Sequence, residues 1–123
     1  MRTSQIIHIG GRDFDDAERN FIKGSGITTY TVQDIHSDNG LLKEIVSRIQ
    51  SDRIYIHLDL DVTDPEDFPH TPLPVEGGLH CNEIYDLLDA SADRLAGLGI
   101  FEYAPSGTRN AFIEKLIQFG KAL

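Results

Sequence analysis

Short apolar runs alternate with helical stripes along this chain, and that alternation constrains its fold more than any other feature. Four runs have the length and the β-branched or aromatic character of buried strands: residues 5–10, 27–32, 54–60 and 95–103. Between them, apolar residues recur every three or four positions, most clearly within 41–49. Strands that alternate with helices are typical of a parallel sheet covered by helices. We therefore predict an α/β fold with a mainly parallel sheet of about four strands.

Candidate capping residues set the predicted helix boundaries. Gly24 stands where the C-cap of a helix over 15–23 should be, and Ser37 or Asp38 is the candidate N-cap of the helix over 41–49. Two later stripes predict helices near residues 84–88 and 112–117. The intervening loop, 64–78, contains all but one of the five prolines, so we expect an ordered loop rather than a linker.

The overall charge limits the partners of this chain. A formal net charge of −9 makes a general nucleic-acid or anionic-membrane binder unfavourable, because both partners require a basic face. The single cysteine, Cys81, excludes an internal disulfide and a cysteine-rich zinc site. The first residues are too polar for a signal peptide, and no apolar run has membrane-spanning length. We expect a cytoplasmic protein without nucleic-acid or membrane partners.

Two aspartates end the third predicted strand. Asp59 and Asp61 are two positions apart, so on a strand both carboxylates would point to one face. Like charges at that separation favour a bound cation, and oxygen ligands suit magnesium, manganese or calcium. A solvated strand end, with Asp64 capping the next turn, explains the same residues equally well.

The stretch Asp59–Thr63 also matches the D-x-D-x-T opening of haloacid-dehalogenase-like phosphatases. That family requires a serine or threonine, a lysine and an acidic pair over a long downstream stretch. Only 60 residues follow Thr63, and they contain no acidic pair in a suitable strand-end context. The phosphatase is therefore the weaker alternative.

A longer string, His57–Leu79, resembles the aspartate signature of the ureohydrolase superfamily, which includes arginase, agmatinase and formiminoglutamase. The D-x-D pair, the D-P dipeptide and the final G-G-L follow one another at the family spacing. Two further segments, His8–Glu18 and Gly99–Ser106, resemble the substrate-gripping loop and the glutamate-bearing strand of arginases. Together they imply a single partial domain, 1–123, that corresponds to the C-terminal part of the three-layer αβα arginase-like fold.

The resemblance also implies site roles. Asp59 and Asp61 would be catalytic manganese ligands. Asp64 would lie outside the ligands that touch the metal and would hold the loop. Glu102 would be catalytic and would bind the guanidinium or amidine group of a small cationic substrate. The implied reaction is hydrolysis of a linear amidine carbon–nitrogen bond by a hydroxide that two Mn²⁺ ions activate.

Asp13, Asp15 and Glu18 would bind the substrate's amino group by the same resemblance. A structural alternative stays open for Asp13, Asp15 and Asp16, because first-turn acids stabilise the N-terminus of a helix. Glu102 could likewise be a solvated strand terminus.

The family's remaining metal ligands lie in a G-G-D-H segment and a D-A-H-x-D strand, and neither string occurs in this chain. We therefore expect these 123 residues to be catalytically incomplete and not to retain the two Mn²⁺ ions. The loop 70–74 reads H-T-P-L-P instead of T-G-T-P, which leaves an amidine other than arginine, or an inactive homologue, open.

The resemblance places the absent metal strand between the predicted strands 54–60 and 5–10. Its absence would leave unpaired strand edges, which are adhesive. Either the two strand pairs close into one four-stranded sheet or another chain covers the exposed edge, and we expect self-association. A non-catalytic arginase-like module in subunit assembly is the alternative to an enzyme fragment.

Overall fold

The computed structural model describes residues 1–12 and 14–123, which divide into two compact units, Met1–Asn39 and Gly40–Leu123. The elements of the first unit are β1 (Ile7–Ile9), α1 (Asp16–Ser25), β2 (Thr28–Tyr30) and α2 (Val32–Ser37), after a short 3-10 helix over Thr3–Gln5. The two strands pair in parallel, with His8 opposite Thr29. The first two predicted strands and the helix between them are thus confirmed.

Three predicted capping residues of the first unit are wrong. The C-cap of α1 is Gly26, whose φ of 81° is left-handed, whereas Gly24 lies inside the helix. Neither Ser37 nor Asp38 is the N-cap of the helix that begins at Leu41: Ser37 is the last residue of α2, Asp38 is the C-cap of α2, and the N-cap of the next helix is Gly40. That helix has only six residues, too few to show an apolar stripe, and Thr31 caps its first turn.

The second unit contains α3 (Leu41–Arg48), β3 (Ile54–Asp59), α4 (Cys81–Ser91), β4 (Leu95–Phe101) and α5 (Ala111–Lys121), together with a 3-10 helix over Leu60–Val62. Strands β3 and β4 are parallel and in register from Tyr55, opposite Gly97, to Asp59, opposite Phe101. Each predicted strand and helix of this unit is confirmed, with ends shifted by one or a few residues.

The core of the second unit contains buried residues from all three of its helices and from both of its strands. The stripe predicted for 41–49 is buried at Leu42, Ile45 and Val46, where α3 packs against α4. Leu60, Leu88 and Leu116 are completely buried, in the turn after β3, in α4 and in α5 respectively.

The α/β class and the parallel pairing are confirmed, and the structure has the four strands that the sequence predicts. They form two sheets of two strands, β1 with β2 and β3 with β4, and not one sheet of four. None of the helices in the described ranges combines the length and apolar character needed to cross a bilayer.

Candidate active site

The two predicted metal ligands lie where β3 ends. Asp59 is the last residue of the strand, and Asp61 is in the 3-10 helix that follows. Both residues are exposed, whereas Leu60 between them is fully buried. The Asp61 amide donates a 2.9 Å hydrogen bond to Asp59 Oδ1, so the Asp59 carboxylate itself caps the turn.

This turn contradicts the prediction that the two-residue spacing places Asp59 and Asp61 on one face of a strand. We predicted that both lie on a strand and share a face by alternation, but the strand ends at Asp59. The two-residue period therefore does not apply to Asp61, and the placement of its side chain is set by the turn. What remains of the prediction is that both acids stand at the carboxyl end of one strand.

Glu102 stands at the same end of this sheet. It follows β4 directly, and the last residue of that strand, Phe101, is the register partner of Asp59. Neighbouring strands are only about 4.8 Å apart, so the backbone of Glu102 begins one residue beyond the position opposite Asp59. The second unit thus presents Asp59, Asp61 and Glu102, all exposed, at one end of a parallel strand pair.

Glu102 also has a strained backbone. Its φ is 61°, which makes it the one non-glycine residue with positive φ among the described residues. A side chain in this left-handed region costs about 1–2 kcal/mol. Strain of this kind tends to persist where function requires a particular side chain in a particular place.

We expect Glu102→Gly to stabilise the protein by about 0.5–1.5 kcal/mol, because glycine adopts positive φ without steric cost. Glu102→Ala is the matched control: it also removes the carboxylate but keeps the strain, so its free energy of unfolding should stay within about 0.5 kcal/mol of the parent. Urea denaturation measures both values. Equal free energies of unfolding for the glycine and alanine variants would show that the positive φ of residue 102 costs no stability.

Asp64 organises the loop that follows the acidic turn. Its carboxylate accepts hydrogen bonds from the amides of Glu66 at 3.0 Å, Gly77 at 3.0 Å and Gly78 at 3.2 Å. The bond from Glu66 does most to lower the pKa of Asp64, and the two glycine amides and the charge of His80 lower it further, against a smaller opposing effect of desolvation. The two ends of the loop are therefore joined through one ionised carboxylate.

Acid should loosen this loop. Because the pKa of Asp64 is lowered by folding, its contribution to stability is complete above the unfolded pKa of about 3.9 and is lost as pH falls through the lower folded value. We expect the Gly77 and Gly78 amides to exchange faster as pH drops below that range, after correction for intrinsic rates. Asp64→Asn should remove this pH dependence, and its persistence in that variant would assign the effect to another group.

The double glycine at the end of the loop is required for two different reasons. Gly77 has a φ of 84°, and a Cβ there would meet no atom within 4 Å. Gly78 has no positive φ, but a Cβ there would lie 2.5 Å from the carbonyl carbon of Thr63 and 2.6 Å from the Asp64 nitrogen. Gly77 thus provides a backbone conformation, and Gly78 permits close approach of two backbone segments.

We expect Gly78→Ala to destabilise the protein by about 1–3 kcal/mol, because the backbone must move to relieve the contact. Gly77→Ala should cost about 1–2 kcal/mol through its positive φ. Asparagine separates the causes, since it tolerates left-handed backbone: Gly77→Asn should recover most of the loss, whereas Gly78→Asn should not. Denaturant unfolding of the four variants tests this, and recovery at both positions would contradict the packing explanation.

An aromatic cluster joins the loop 64–78 to the residues that follow Glu102. Phe68 is 1% exposed, and its ring lies 6.0 Å from that of Tyr103 and 5.1 Å from that of Phe112, centroid to centroid. The Ala104 amide donates a 2.8 Å hydrogen bond to the His70 carbonyl. The loop at Phe68 and His70 is therefore packed and hydrogen-bonded to Tyr103 and Ala104, the two residues that follow Glu102.

Sequence reasoning did not assign a role to Phe68. One apolar residue in a loop rich in prolines carries no periodic signal, so neither a helical nor a strand pattern could identify it. The only available signal was a large aromatic side chain between two exposed acids, Glu66 and Asp67, on one side and a proline on the other.

In the first unit, Asp15 and Glu18 form a capping box. Asp15 Oδ1 accepts a 2.7 Å hydrogen bond from the Glu18 amide, and Glu18 Oε2 accepts a 3.0 Å bond from the Asp15 amide. The structural alternative for Asp15, an acid that stabilises the first turn of a helix, is therefore realised in α1. Asp13, the third predicted substrate-binding acid, lies outside the described residues.

A family model described as the arginase family matches residues 1–116 of the chain. The N(1)-aminopropylagmatine ureohydrolase of Thermus thermophilus is 30% identical over 108 residues, which make up 86% of this chain and 36% of that protein. The arginase of Bacillus subtilis is 34% identical over 87 residues, 68% of this chain and 29% of that protein. The chain thus spans about a third of the length of these curated relatives.

Solved structures give the same result. The structure of Bacillus subtilis arginase superimposes with a TM-score of 0.80 at 26% identity, over 98% of this chain and 44% of that chain. Formimidoylglutamase from the same organism gives a TM-score of 0.78 at 25% identity, over 98% and 40%. These matches set aside the phosphatase alternative and confirm the arginase-like fold. The chain belongs to the arginase family.

Proposed function

We propose that this chain supplies the C-terminal part of the active site of a manganese-dependent hydrolase of linear amidines, and that it is catalytically incomplete by itself. One observation carries the proposal: three exposed carboxylates, Asp59, Asp61 and Glu102, stand at the carboxyl end of one parallel strand pair. Ligands of parallel sheets bind at that end. The proposal assigns the first two acids to metal and the third to substrate.

The donor chemistry of Asp59 and Asp61 fits a hard divalent cation. Both are carboxylates, the ligand type that manganese and magnesium prefer, and both are exposed. Asp59 accepts the Asp61 amide through Oδ1, a bond that does not involve Oδ2. When bound, a divalent metal supplies a water whose pKa is lowered toward neutrality.

Two carboxylates do not make a complete site for two ions. The further ligands that the family resemblance implies, in G-G-D-H and D-A-H-x-D segments, do not occur in this sequence. In the proposed function, residues 1–123 therefore act together with such segments, and the separate chain binds Mn²⁺ weakly and releases no urea.

Glu102 has the chemistry to bind the reacting group. Guanidinium and amidinium groups are planar cations with paired N–H donors, and a carboxylate accepts two such donors side by side. Because the backbone of Glu102 is fixed at positive φ, its side chain starts from a defined position at the strand end. The net charge of −9 further favours a cationic substrate.

The names of the relatives suggest the substrate class. They include an arginase, an N(1)-aminopropylagmatine ureohydrolase and a formimidoylglutamase, whose named substrates share a linear amidine group. We propose this shared group as the one that the present site recognises. For the first unit, the resemblance implies that Asp15 and Glu18 bind an amino group of the substrate, in addition to capping α1.

Two assays test the proposal. The first measures Mn²⁺-dependent release of urea or ammonia from arginine, agmatine, aminopropylagmatine and formiminoglutamate. In a polypeptide that joins residues 1–123 to both histidine-bearing segments we expect turnover, and Asp59→Asn should lower kcat/KM by about 100-fold or more. Asp89→Asn, an exposed acid on α4, is the matched control and should leave kcat/KM unchanged.

The second assay uses the 123-residue chain alone. We expect no urea or ammonia release, and no stoichiometric Mn²⁺ binding at micromolar concentration. A tight Mn²⁺ titration of this chain would show that its own residues complete a metal site. Unchanged turnover in the Asp59→Asn variant of the longer polypeptide would show that the strand end is not the metal site.

A further inference from the structure

Thr63 occupies an unusual position beside the acidic turn. It is 3% exposed, one of three polar residues that are buried in the described part of the chain. Its hydroxyl donates toward two carbonyl oxygens, that of Leu60 at 2.7 Å and that of Phe68 at 3.2 Å. A buried hydroxyl without partners would be costly, so these two contacts determine how the segment can fold.

The first of these contacts closes the turn that contains Asp61. The Leu60 carbonyl accepts the Thr63 hydroxyl and also the Thr63 amide, the latter at 3.1 Å. Both bonds span the 3-10 helix Leu60–Val62, so Asp61 lies inside a turn that Thr63 locks from its C-terminal side. From the other side, Asp59 Oδ1 accepts the Asp61 amide.

The second contact joins this turn to the loop. The Phe68 carbonyl accepts the Thr63 hydroxyl, and the ring of Phe68 packs on Tyr103, the residue after Glu102. The Thr63 backbone is itself bridged to Leu79, and Gly78 approaches it too closely to allow a Cβ. Thr63 therefore contacts the turn that contains Asp61, the loop at Phe68 and the end of the loop at Gly78 and Leu79.

We infer that the Thr63 hydroxyl is a positioning group for the Asp61 carboxylate, and through it for a divalent cation at the end of β3. The inference rests on the proposed function, in which Asp59 and Asp61 hold the metal. Thr63 does not touch the metal or the substrate in this scheme; it fixes the turn from which Asp61 projects. Valine has the same branched shape without the hydroxyl, so it isolates the hydrogen bonds from the packing.

The test compares Thr63→Val with Thr63→Ser, which keeps the hydroxyl and loses only a methyl group. Thr108→Val is the matched control, because Thr108 is exposed and its hydroxyl forms a hydrogen bond with the Ser106 hydroxyl at 2.9 Å. The first readout is amide hydrogen exchange at Asp61 in the 123-residue chain. We expect exchange to rise about three- to tenfold in Thr63→Val and to change less than about twofold in the other two variants.

The second readout is the broadening of the Asp59 and Asp61 amide signals in NMR spectra as Mn²⁺ is added at up to millimolar concentration. Thr63→Val should need about three- to tenfold more Mn²⁺ for the same broadening, and Thr63→Ser should restore the response of the parent. A threonine that serves only packing predicts the reverse order, since serine disturbs packing more than valine does.

Each outcome decides the inference. Unchanged Asp61 exchange in Thr63→Val overturns it, as does a serine variant that loosens Asp61 although it keeps the hydroxyl. If Thr63→Val does not fold, the serine variant alone decides, because Asp61 must then stay protected. Loss of protection in Thr63→Val without any Mn²⁺ response in the parent chain would establish the positioning of Asp61 and overturn weak Mn²⁺ binding by the separate chain; the Asp59→Asn turnover assay on the longer polypeptide tests the metal site itself.

Discussion

Replacement of Phe68 by alanine should destabilise the protein by about 3–5 kcal/mol, the cost of emptying a buried aromatic site. Phe68 is 1% exposed and contacts aromatic rings from three directions, those of His70, Tyr103 and Phe112. Its side chain therefore connects the loop, the segment after Glu102 and the helix α5. Urea denaturation followed by circular dichroism measures the loss, and Phe68→Leu should lose less because it refills part of the cavity.

The same loop provides a control for Phe68. Leu73 is 78% exposed, so Leu73→Ala should change the free energy of unfolding by no more than about 0.5 kcal/mol. A Phe68→Ala variant as stable as Leu73→Ala would mean that the aromatic cluster does not anchor the loop. The expected difference between the two variants separates anchoring from a general sensitivity of this loop to truncation.

Much of the second unit could be predicted because its patterns are long. Strand β3 alternates between half-buried Ile54 and Ile56, fully buried Leu58, and exposed residues between them, and α3 repeats its apolar positions at helical spacing. Such patterns reflect burial on one face, which is the main determinant of both elements. By contrast, α2 was missed because six residues cannot display a period of 3.6.

The sequence correctly placed Asp59 and Asp61 at the end of a strand, but it did not predict the turn that contains Asp61. A two-residue spacing means one shared face only while the chain remains extended, and the carboxylate of Asp59 ends the strand by capping the next turn. Nothing in the letters D-L-D distinguishes a strand from a capped turn. The contacts of Thr63 and Phe68 could not be predicted either, since both depend on a loop path that has no periodicity.

A second large effect is expected at Arg94, whose guanidinium caps the C-terminal end of the helix α3. Its Nη1 donates to the carbonyls of Ile49 at 2.7 Å and Ser51 at 2.9 Å, and its Nη2 donates to the carbonyl of Val46 at 2.7 Å. Carbonyls at a helix C-terminus have no partner within the helix, and a cation there also interacts favourably with the helix dipole. We expect Arg94→Met to destabilise the protein by about 2–4 kcal/mol, because hydrogen bonds to a charged donor contribute more than neutral ones.

Charge and geometry contribute separately at this position, and lysine distinguishes them. Arg94→Lys keeps the positive charge but cannot direct donors to three carbonyls at fixed angles, so it should recover only part of the loss. Arg109→Met is the matched control: the Arg109 side chain is 90% exposed and its ion pair with Glu114 lies in solvent, where such a pair contributes at most about 1 kcal/mol. Urea denaturation of the three variants gives the free energies of unfolding. A full recovery by lysine would assign the stabilisation to the helix dipole alone, and equal losses at Arg94 and Arg109 would contradict the capping role.

Because Arg94 immediately precedes β4 and its carbonyl accepts the Ile54 amide at 2.8 Å, the same residue also aligns the two strands that end at Asp59 and Phe101.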